Sequence, residues 1–336
     1  MEGNISRNRQ CVPVIHDMEG VQSDRRRSAV AALALGAACA LAHAQALGQA
    51  FEPVGGNLQK RVNGVLALMG YMLTPDVTTG SLAISNDATG NPDFGMTTLG
   101  GGFTVSRESP LYLEGTLGYA RYDPTFIASN GQVEGSVAAK WDAYSATGGI
   151  GWDFPVAEGL VLRPIFNFSY GRVDSNVSAT GQTESGAELD FLHNGRLNSY
   201  GLGGSLVLDY ERHRPGNEID VELRYTNIYL QSFGGTSRAV QGSADSQSVS
   251  LWSRLRAPTG IIMLERPLRY VLEFAHTTFL GDLDGVLGFN YLSSVGAGLE
   301  LDSSARDITV TRTRLMARYK FGENVTGWSV GLAISF

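Results

Sequence analysis

The final stretch of the chain, Val325 to Phe336, alternates strictly between large apolar and small or polar side chains. Trp328 and Val330 fall on one face of this stretch, whereas Gly327 and Ser329 fall on the other. Because successive side chains of a strand point to opposite faces, the pattern predicts a β-strand with one apolar face. Whether this strand belongs to a soluble sheet or to a membrane depends on the rest of the chain.

The same period of two recurs through residues 79–336 and predicts eleven further strands. Most reach the length of about nine to eleven residues that a tilted strand needs to cross a bilayer. The first, Thr79 to Ser85, is shorter, and in a closed sheet the last strand must pair with it near Ser81 to Ile84. Pro164 falls inside a candidate strand, where proline is unusual except at an edge or a bulge. The candidate strands begin near Thr79, Phe94, Leu111, Tyr144, Leu160, Tyr200, Glu218, Val249, Leu268, Phe289, Ile308 and Val325.

Connections between the predicted strands alternate in length, and aromatic residues gather at the strand ends. Short turns precede Leu111, Leu160, Glu218, Leu268 and Ile308. Longer polar connections lie around residues 86–93, 123–139, 173–195 and 231–247. The aromatic residues that suit interfacial girdles are Trp152, Phe154, Tyr170, Tyr200, Tyr210, Tyr225, Trp328 and Phe336. This asymmetry is typical of bacterial outer-membrane barrels, which have short periplasmic turns and long outer loops.

Composition favours a barrel in lipid over a soluble sheet. Charged residues make up 18% of the chain, against roughly 25% in ordinary soluble domains. The polar strand faces are rich in Gly, Ser and Thr, and no apolar run reaches the length of about 20 residues that a transmembrane helix needs. Lipid cannot satisfy open backbone groups, so such strands require closure. The sequence therefore predicts an all-β fold, a twelve-stranded antiparallel transmembrane β-barrel over residues 79–336.

Residues 1–44 are predicted to be an upstream extension and a signal peptide. Arg25 to Arg27 precede a short Ala- and Leu-rich run, and Ala42-His43-Ala44 is a small-x-small cleavage site before Gln45. Met18 would give a more usual start, and a retained anchor is the alternative reading. Cleavage would remove both cysteines, and with five Arg and four acidic residues it would leave 21 basic against 29 acidic residues, a net charge of −8. That balance does not support nucleic-acid binding.

Residues 45–78 are predicted to form an N-terminal segment with a helix over 56–73. Pro75 and Asp76 end the helical pattern, and a strand is the alternative. We expect the helix inside the lumen, with an interfacial helix or a first strand as the other options. The apolar stripe consists of Leu58, Val62, Val65, Leu66, Met69, Met72 and Leu73.

The predicted lumen carries mixed charges, with a basic ladder on the penultimate strand. The ladder and its acidic neighbour are Arg312, Arg314, Arg318, Lys320 and Glu300. One reading is an anion-preferring constriction. The favoured reading is a paired network that holds the barrel or the helix, because charged lumen faces are ordinary in such barrels.

No catalytic, cofactor or metal site is predicted. His193, His213 and His276 are not placed to act together, and the sequence has no G-x-S-x-G elbow. Asp282-x-Asp284-Gly285 lacks the later ligands of a calcium loop and is read as a hairpin turn.

Several segments resemble the solitary outer-membrane autotransporter-like β-barrel family. They are TPDVTTGSLAIS (74–85), DVELRYTNIYLQSF (220–233), APTG (257–260), RPLRYVLEF (266–274), LGFNYLSSVGAGLEL (287–301) and the terminal GLAISF. The resemblance implies twelve strands with a helix threading the lumen, and it implies that Phe336 is read by the outer-membrane assembly machinery. Only about a dozen residues separate Gln45 from the helix, so no passenger domain is expected. The family implies no activity for named residues.

The sequence thus predicts a non-enzymatic protein of the bacterial outer membrane with a narrow or plugged pore. Its expected partners are outer-membrane lipid and the assembly machinery, with no nucleic acid and no cofactor. One alternative is a surface protein that binds through the loops at 123–139, 173–195 and 231–247. A second alternative is an outer-membrane hydrolase.

Overall fold

A computed structural model represents the 336-residue chain. It describes residues 52–53, 66, 69–70, 72, 79–86, 91–106, 108–122, 125–129, 134–177, 195–214, 216–285, 289–303, 311–323 and 325–335. The predicted leader at 1–44, His193 and Phe336 lie outside these residues. So does the predicted helix at 56–73, except for Leu66, Met69, Gly70 and Met72.

The described residues form strands almost throughout, apart from a short 3-10 helix at Arg238–Val240 and three helical residues of the N-terminal segment, Leu66, Met69 and Gly70. No helix among them is long and apolar enough to cross a membrane. The strands are β1 (Glu52–Pro53), β2 (Thr79–Asn86), β3 (Asn91–Thr104), β4 (Leu111–Tyr122), β5 (Thr125–Ser129), β6 (Glu134–Trp152), β7 (Phe154–Ala157), β8 (Leu160–Val177), β9 (Gly195–Arg214), β10 (Asn217–Ser232), β11 (Ser243–Met263), β12 (Arg266–Gly281), β13 (Tyr291–Asp302), β14 (Arg312–Gly322) and β15 (Val325–Ser335).

Twelve of these strands pair antiparallel in a closed cycle. The order is β2-β3-β4-β6-β8-β9-β10-β11-β12-β13-β14-β15, and β15 returns to β2 with Val330 opposite Ser81. The pairing of β6 with β8 bypasses the short β7, which pairs with β8 alone. Within the described residues, the all-β antiparallel prediction is confirmed, and the first and last strands meet where the sequence places their contact.

Large apolar side chains cover the outer wall of the cycle. Phe166 is 57% exposed, Val330 60% and Trp328 67%, although all three lie in regular strands. Their strand neighbours face inward and, apart from Ile165, are small or polar. An exposed apolar surface of this extent is unfavourable in water at about 25 cal/mol per Å². The wall is therefore suited to lipid.

Pro164 lies at a change of partner in β8. On one side, the last β6 pair is Gly151 with Ile165, and the first β7 pair is Phe154 with Leu162. Pro164 falls between these two pairs, so its missing N–H coincides with a break in the ladder.

The β11–β12 hairpin extends beyond its neighbours at the short-turn end. The last β11 residue paired with β10 is Arg256, whereas β11 continues to Met263. At the tip, Leu264 and Glu265 have φ values of 52° and 61°, which side chains with a Cβ rarely adopt.

Candidate functional site: the barrel interior

The inward side chains divide the barrel interior into two layers. Towards the short turns the interior is charged, and towards the long loops it is apolar. Strand β10 shows the change along a single face, because the inward residues run from Glu218 and Asp220 through Arg224 to Ile228 and Leu230. Both layers are largely shielded from solvent.

The three arginines of the predicted basic ladder lie in the charged layer and face carboxylates. Arg314 contacts Glu300 at 2.5 Å across the β13–β14 pair. Arg318 reaches past β13 and contacts Glu273 of β12 at 2.7 Å. Lys320 follows on the same face, opposite Ser294 of β13.

Arg312, at the start of the ladder, crosses a larger part of the interior. Its Nη1 lies 3.1 Å from Oε2 of Glu218 on β10, four strands away in the cycle. Glu218 also accepts a 2.5 Å hydrogen bond from Arg269, which in turn contacts Asp302 at 2.6 Å. These contacts join β10, β12, β13 and β14 into one network.

Asp220 extends this network on β10 and β11. It accepts hydrogen bonds from Arg254 at 2.6 Å and from Arg256 at 3.0 Å. Trp252 is a large aromatic residue among the inward residues of β11. The Arg254 guanidinium lies 4.7 Å from the centre of its ring.

A second bridge crosses the interior from β10 to β4, again four strands away. Arg224 donates to both carboxylate oxygens of Glu114, at 2.6 Å and 2.9 Å. Asn167 of β8 donates to the same carboxylate at 2.7 Å, and Ser205 of β9 accepts from Arg224 at 3.0 Å. The bridge is therefore held from two of the three strands that lie between β4 and β10.

Strands β4, β10 and β14 divide the cycle into thirds. Four steps separate β4 from β10, four separate β10 from β14, and four return from β14 to β4. Glu114–Arg224 joins the first pair of strands and Glu218–Arg312 joins the second. Strand β10 is thus tied across the interior in both directions.

Arg163 lies on the inner face of β8, in the charged layer that also contains the second bridge. It donates to Asp153, lies 3.2 Å from Asp209 of β9, and stacks 4.0 Å from the ring centre of Tyr112 on β4. The guanidinium is thereby held by two carboxylates and an aromatic face.

The apolar layer packs around the described part of the N-terminal segment. Leu66, Met69 and Met72 are fully buried. A Cβ placed on Gly118 would lie 3.0 Å from Cβ of Met72, and Ser199 Oγ lies 3.8 Å from the Met69 sulfur. The inward residues of the same cluster include Ala120, Tyr122, Trp141, Ala143, Val173, Leu197, Ile228, Leu230, Phe279, Leu283, Phe289 and Val325.

Sequence reasoning missed this apolar layer, because it treats every inward position as small or polar. A signal was available in the inward residues of β10, where Thr226 is followed by Ile228 and Leu230. It also missed Asn167 and Ser205, since no local pattern marks uncharged polar residues as supports of a bridge.

The described histidines face different environments. His213 lies at the short-turn end, 3.9 Å from Glu218. His276 is on the outer wall, where it contacts Ser293 Oγ at 2.8 Å and Thr278 Oγ1 at 3.2 Å. In the part of the chain that the structure describes, no group of three metal-ligating side chains is present.

The family model of the autotransporter β-domain matches residues 63–190. Among solved structures, the transport unit of autotransporter AIDA-I from Escherichia coli is 12% identical, with a TM-score of 0.47 over 82% of this chain and 99% of that one. The β-domain of the Bordetella autotransporter BrkA is 14% identical, with a TM-score of 0.44 over 78% and 100%. The translocator domain of NalP from Neisseria meningitidis is 14% identical, with a TM-score of 0.41 over 77% and 86%. No curated protein matches this chain.

The closed cycle of strands and the apolar outer wall define the class of this protein as a β-barrel whose outer surface suits a membrane. The resemblance to autotransporter barrel domains that the sequence indicates is confirmed by the match over residues 63–190.

Proposed function

We propose that this barrel is a non-enzymatic outer-membrane pore that is closed at rest by its own interior. The bridge between Glu114 and Arg224 carries the proposal. Neighbouring strands are about 4.8 Å apart, so four steps make an arc of about 19 Å along the wall. The two side chains nevertheless meet at 2.6 Å, which requires them to cross the interior.

The apolar layer supports closure at the opposite end. Leu66, Met69 and Met72 belong to one buried cluster with inward residues of the barrel. We propose that residues 45–78 form a plug and that the helix at 56–73 lies in the lumen. An apolar plug and a charged layer in series would exclude both ions and apolar solutes.

The ion-pair geometry favours the interpretation of the basic ladder as a paired network that holds the barrel. Arg312, Arg314 and Arg318 each lie within 3.1 Å of a carboxylate oxygen. An anion-selective constriction would need guanidinium groups available to the permeating ion. We therefore propose that the ladder helps to close the pore.

Conductance of the refolded full-length protein in planar bilayers tests the proposal. We expect a low conductance for the native chain and a higher one after deletion of residues 45–73. The double variant Glu114→Ala/Arg224→Ala should open the charged layer, and only its combination with the deletion should give the full increase.

Arg214→Ala, an exposed change at the short-turn rim, is the control and should leave conductance unchanged. Equal conductance in the native protein and in the combined variant would contradict the proposal. The non-enzymatic part is tested with phospholipid and lipopolysaccharide as substrates: turnover that is lost in the triple variant His193→Ala/His213→Ala/His276→Ala would overturn it.

A further inference from the structure

The outer wall carries a row of charged residues across four neighbouring strands. Arg121 of β4 lies opposite Asp142 of β6, which lies opposite Asp174 of β8, which lies opposite Arg196 of β9. All four side chains are on the outward face, near the long-loop end of the barrel. Such a row is unexpected on a wall that is otherwise apolar.

Two further basic residues flank this row on the same face. Lys140 lies on β6, two residues from Asp142, and is exposed. Arg172 lies on β8, opposite Tyr144 and Asn198. We call Arg121, Lys140, Arg172 and Arg196 the basic patch.

The two carboxylates in the row both accept hydrogen bonds from neighbours on the outer wall. Asp174 accepts from Arg172 at 2.8 Å and from Arg196 at 3.4 Å, so one carboxylate positions two guanidinium groups. Asp142 accepts a 2.6 Å hydrogen bond from the Tyr119 hydroxyl. Among the side chains that the structure describes in this part of the wall, the four basic residues of the patch accompany these two acidic ones.

Aromatic rings lie beside the basic patch and on its side towards the middle of the barrel. Tyr119 and Tyr144 have ring centres 5.2 Å apart. Phe233 lies 5.9 Å from Tyr170 and 6.0 Å from Tyr200. Aromatic belts mark the boundary between hydrocarbon and headgroups. The basic patch therefore lies at headgroup level.

We propose that the basic patch binds the phosphates of a lipopolysaccharide molecule in the outer leaflet. The inference rests on the proposed outer-membrane location, with the long loops outside. Three strand spacings of about 4.8 Å separate Arg121 from Arg196 by about 14 Å, which suits a disaccharide headgroup with a phosphate at each end. Arginine matches phosphate oxygens with paired N–H donors, and the acyl chains would lie along the aromatic and apolar wall below.

A free anion is less well suited to this surface than a lipid. The basic patch is spread over one side of a convex wall, with no enclosing loop among the described residues that contact it. Binding therefore depends on a ligand that is already held at this level by its acyl chains. A lipid-borne phosphate meets this condition, and inorganic phosphate does not.

Titration of labelled lipopolysaccharide into the refolded full-length protein in detergent micelles, followed by fluorescence anisotropy, tests the proposal. Each lost basic residue should weaken binding about fivefold, and Arg121→Gln/Arg172→Gln/Arg196→Gln together about 100-fold. Dephosphorylated lipopolysaccharide should bind the native protein as weakly as this triple variant binds the intact lipid.

Three controls separate a phosphate site from a general effect on the barrel. Arg214→Gln, at the other end of β9, should bind like the native protein. Asp142→Asn removes a negative charge and should bind equally or more tightly. Lys140→Gln, a single exposed change, should still weaken binding about fivefold if the triple variant does not refold.

Unchanged affinity for lipopolysaccharide in the triple variant would overturn the proposal. If the triple variant does not refold, unchanged affinity in Lys140→Gln would overturn it. Competition by millimolar inorganic phosphate as effective as that by unlabelled lipopolysaccharide would also overturn it, because it would indicate a site for free anions. A native chain that does not insert into phospholipid vesicles lacking lipopolysaccharide would instead count against the proposed outer-membrane barrel.

Discussion

Removing one partner of the bridge between Glu114 and Arg224 should destabilise the barrel far more than removing both. Glu114 is 8% exposed and Arg224 is 5% exposed, so neither charge can be hydrated if the other is lost. Glu114→Leu leaves a buried guanidinium, and Arg224→Met leaves a buried carboxylate. The double variant leaves neither.

The expected magnitudes follow from the burial of this pair. Breaking a buried ion pair from one side costs about 3–5 kcal/mol, whereas replacing both partners by apolar groups is often close to neutral. Asn167 also loses its acceptor in the absence of Glu114, which adds about 1 kcal/mol for an unsatisfied donor. We therefore expect Glu114→Leu to cost about 4–6 kcal/mol and the double variant about 1–2 kcal/mol.

The assay is equilibrium unfolding in denaturant of the refolded full-length protein, arranged as a double-mutant cycle. Arg172–Asp174 on the outer wall is the control pair, with side chains 39% and 29% exposed. Exposed pairs contribute about 0–1 kcal/mol, so its cycle should give little coupling. Additive effects of Glu114→Leu and Arg224→Met would refute the inference that the two charges meet across the interior.

Four further changes test other parts of the structure. Met69→Ala should cost about 2–4 kcal/mol in unfolding experiments, because it leaves a cavity in the apolar layer. Gly118→Val should cost about 1–3 kcal/mol and raise bilayer conductance, since its side chain would displace the N-terminal segment; an unaltered stability would contradict that packing. Leu264→Asn/Glu265→Gly should stabilise the chain by about 1 kcal/mol, because both positions have positive φ and this pair favours such turns. Removing Phe336 should lower the amount of barrel in the outer membrane before any activity changes, and normal assembly of the truncated chain would exclude the predicted signal.

The class of the fold could be predicted from local pattern alone. Alternation with a period of two is a property of the extended backbone, so it shows which side chains share a face without knowledge of any partner strand. In β10, for example, Asp220 and Arg224 face inward while Leu223 and Tyr225 face outward, as the sequence predicts. The antiparallel order also follows, because short turns join successive strands.

The bounds of the strands were harder to predict than their existence. The sequence predicts that the second strand begins near Phe94, whereas in the structure it begins at Asn91 and ends at Thr104. The three short strands β1, β5 and β7 lie outside the closed cycle, and the sequence pattern gave no separate signal for them. Strand ends depend on the neighbours available for hydrogen bonding, which a single-segment pattern does not report.

What the sequence determined by itself was which side chains face lipid and which face the interior. Only the tertiary structure decided which inward groups meet. Arg224 and Glu114 are 110 residues apart, and Arg312 and Glu218 are 94 apart. Their contacts depend on closure of the cycle and on the width of the interior, which no local pattern encodes. The same closure places Met69 next to Ser199. The interior is therefore filled by inward side chains and by residues of the N-terminal segment.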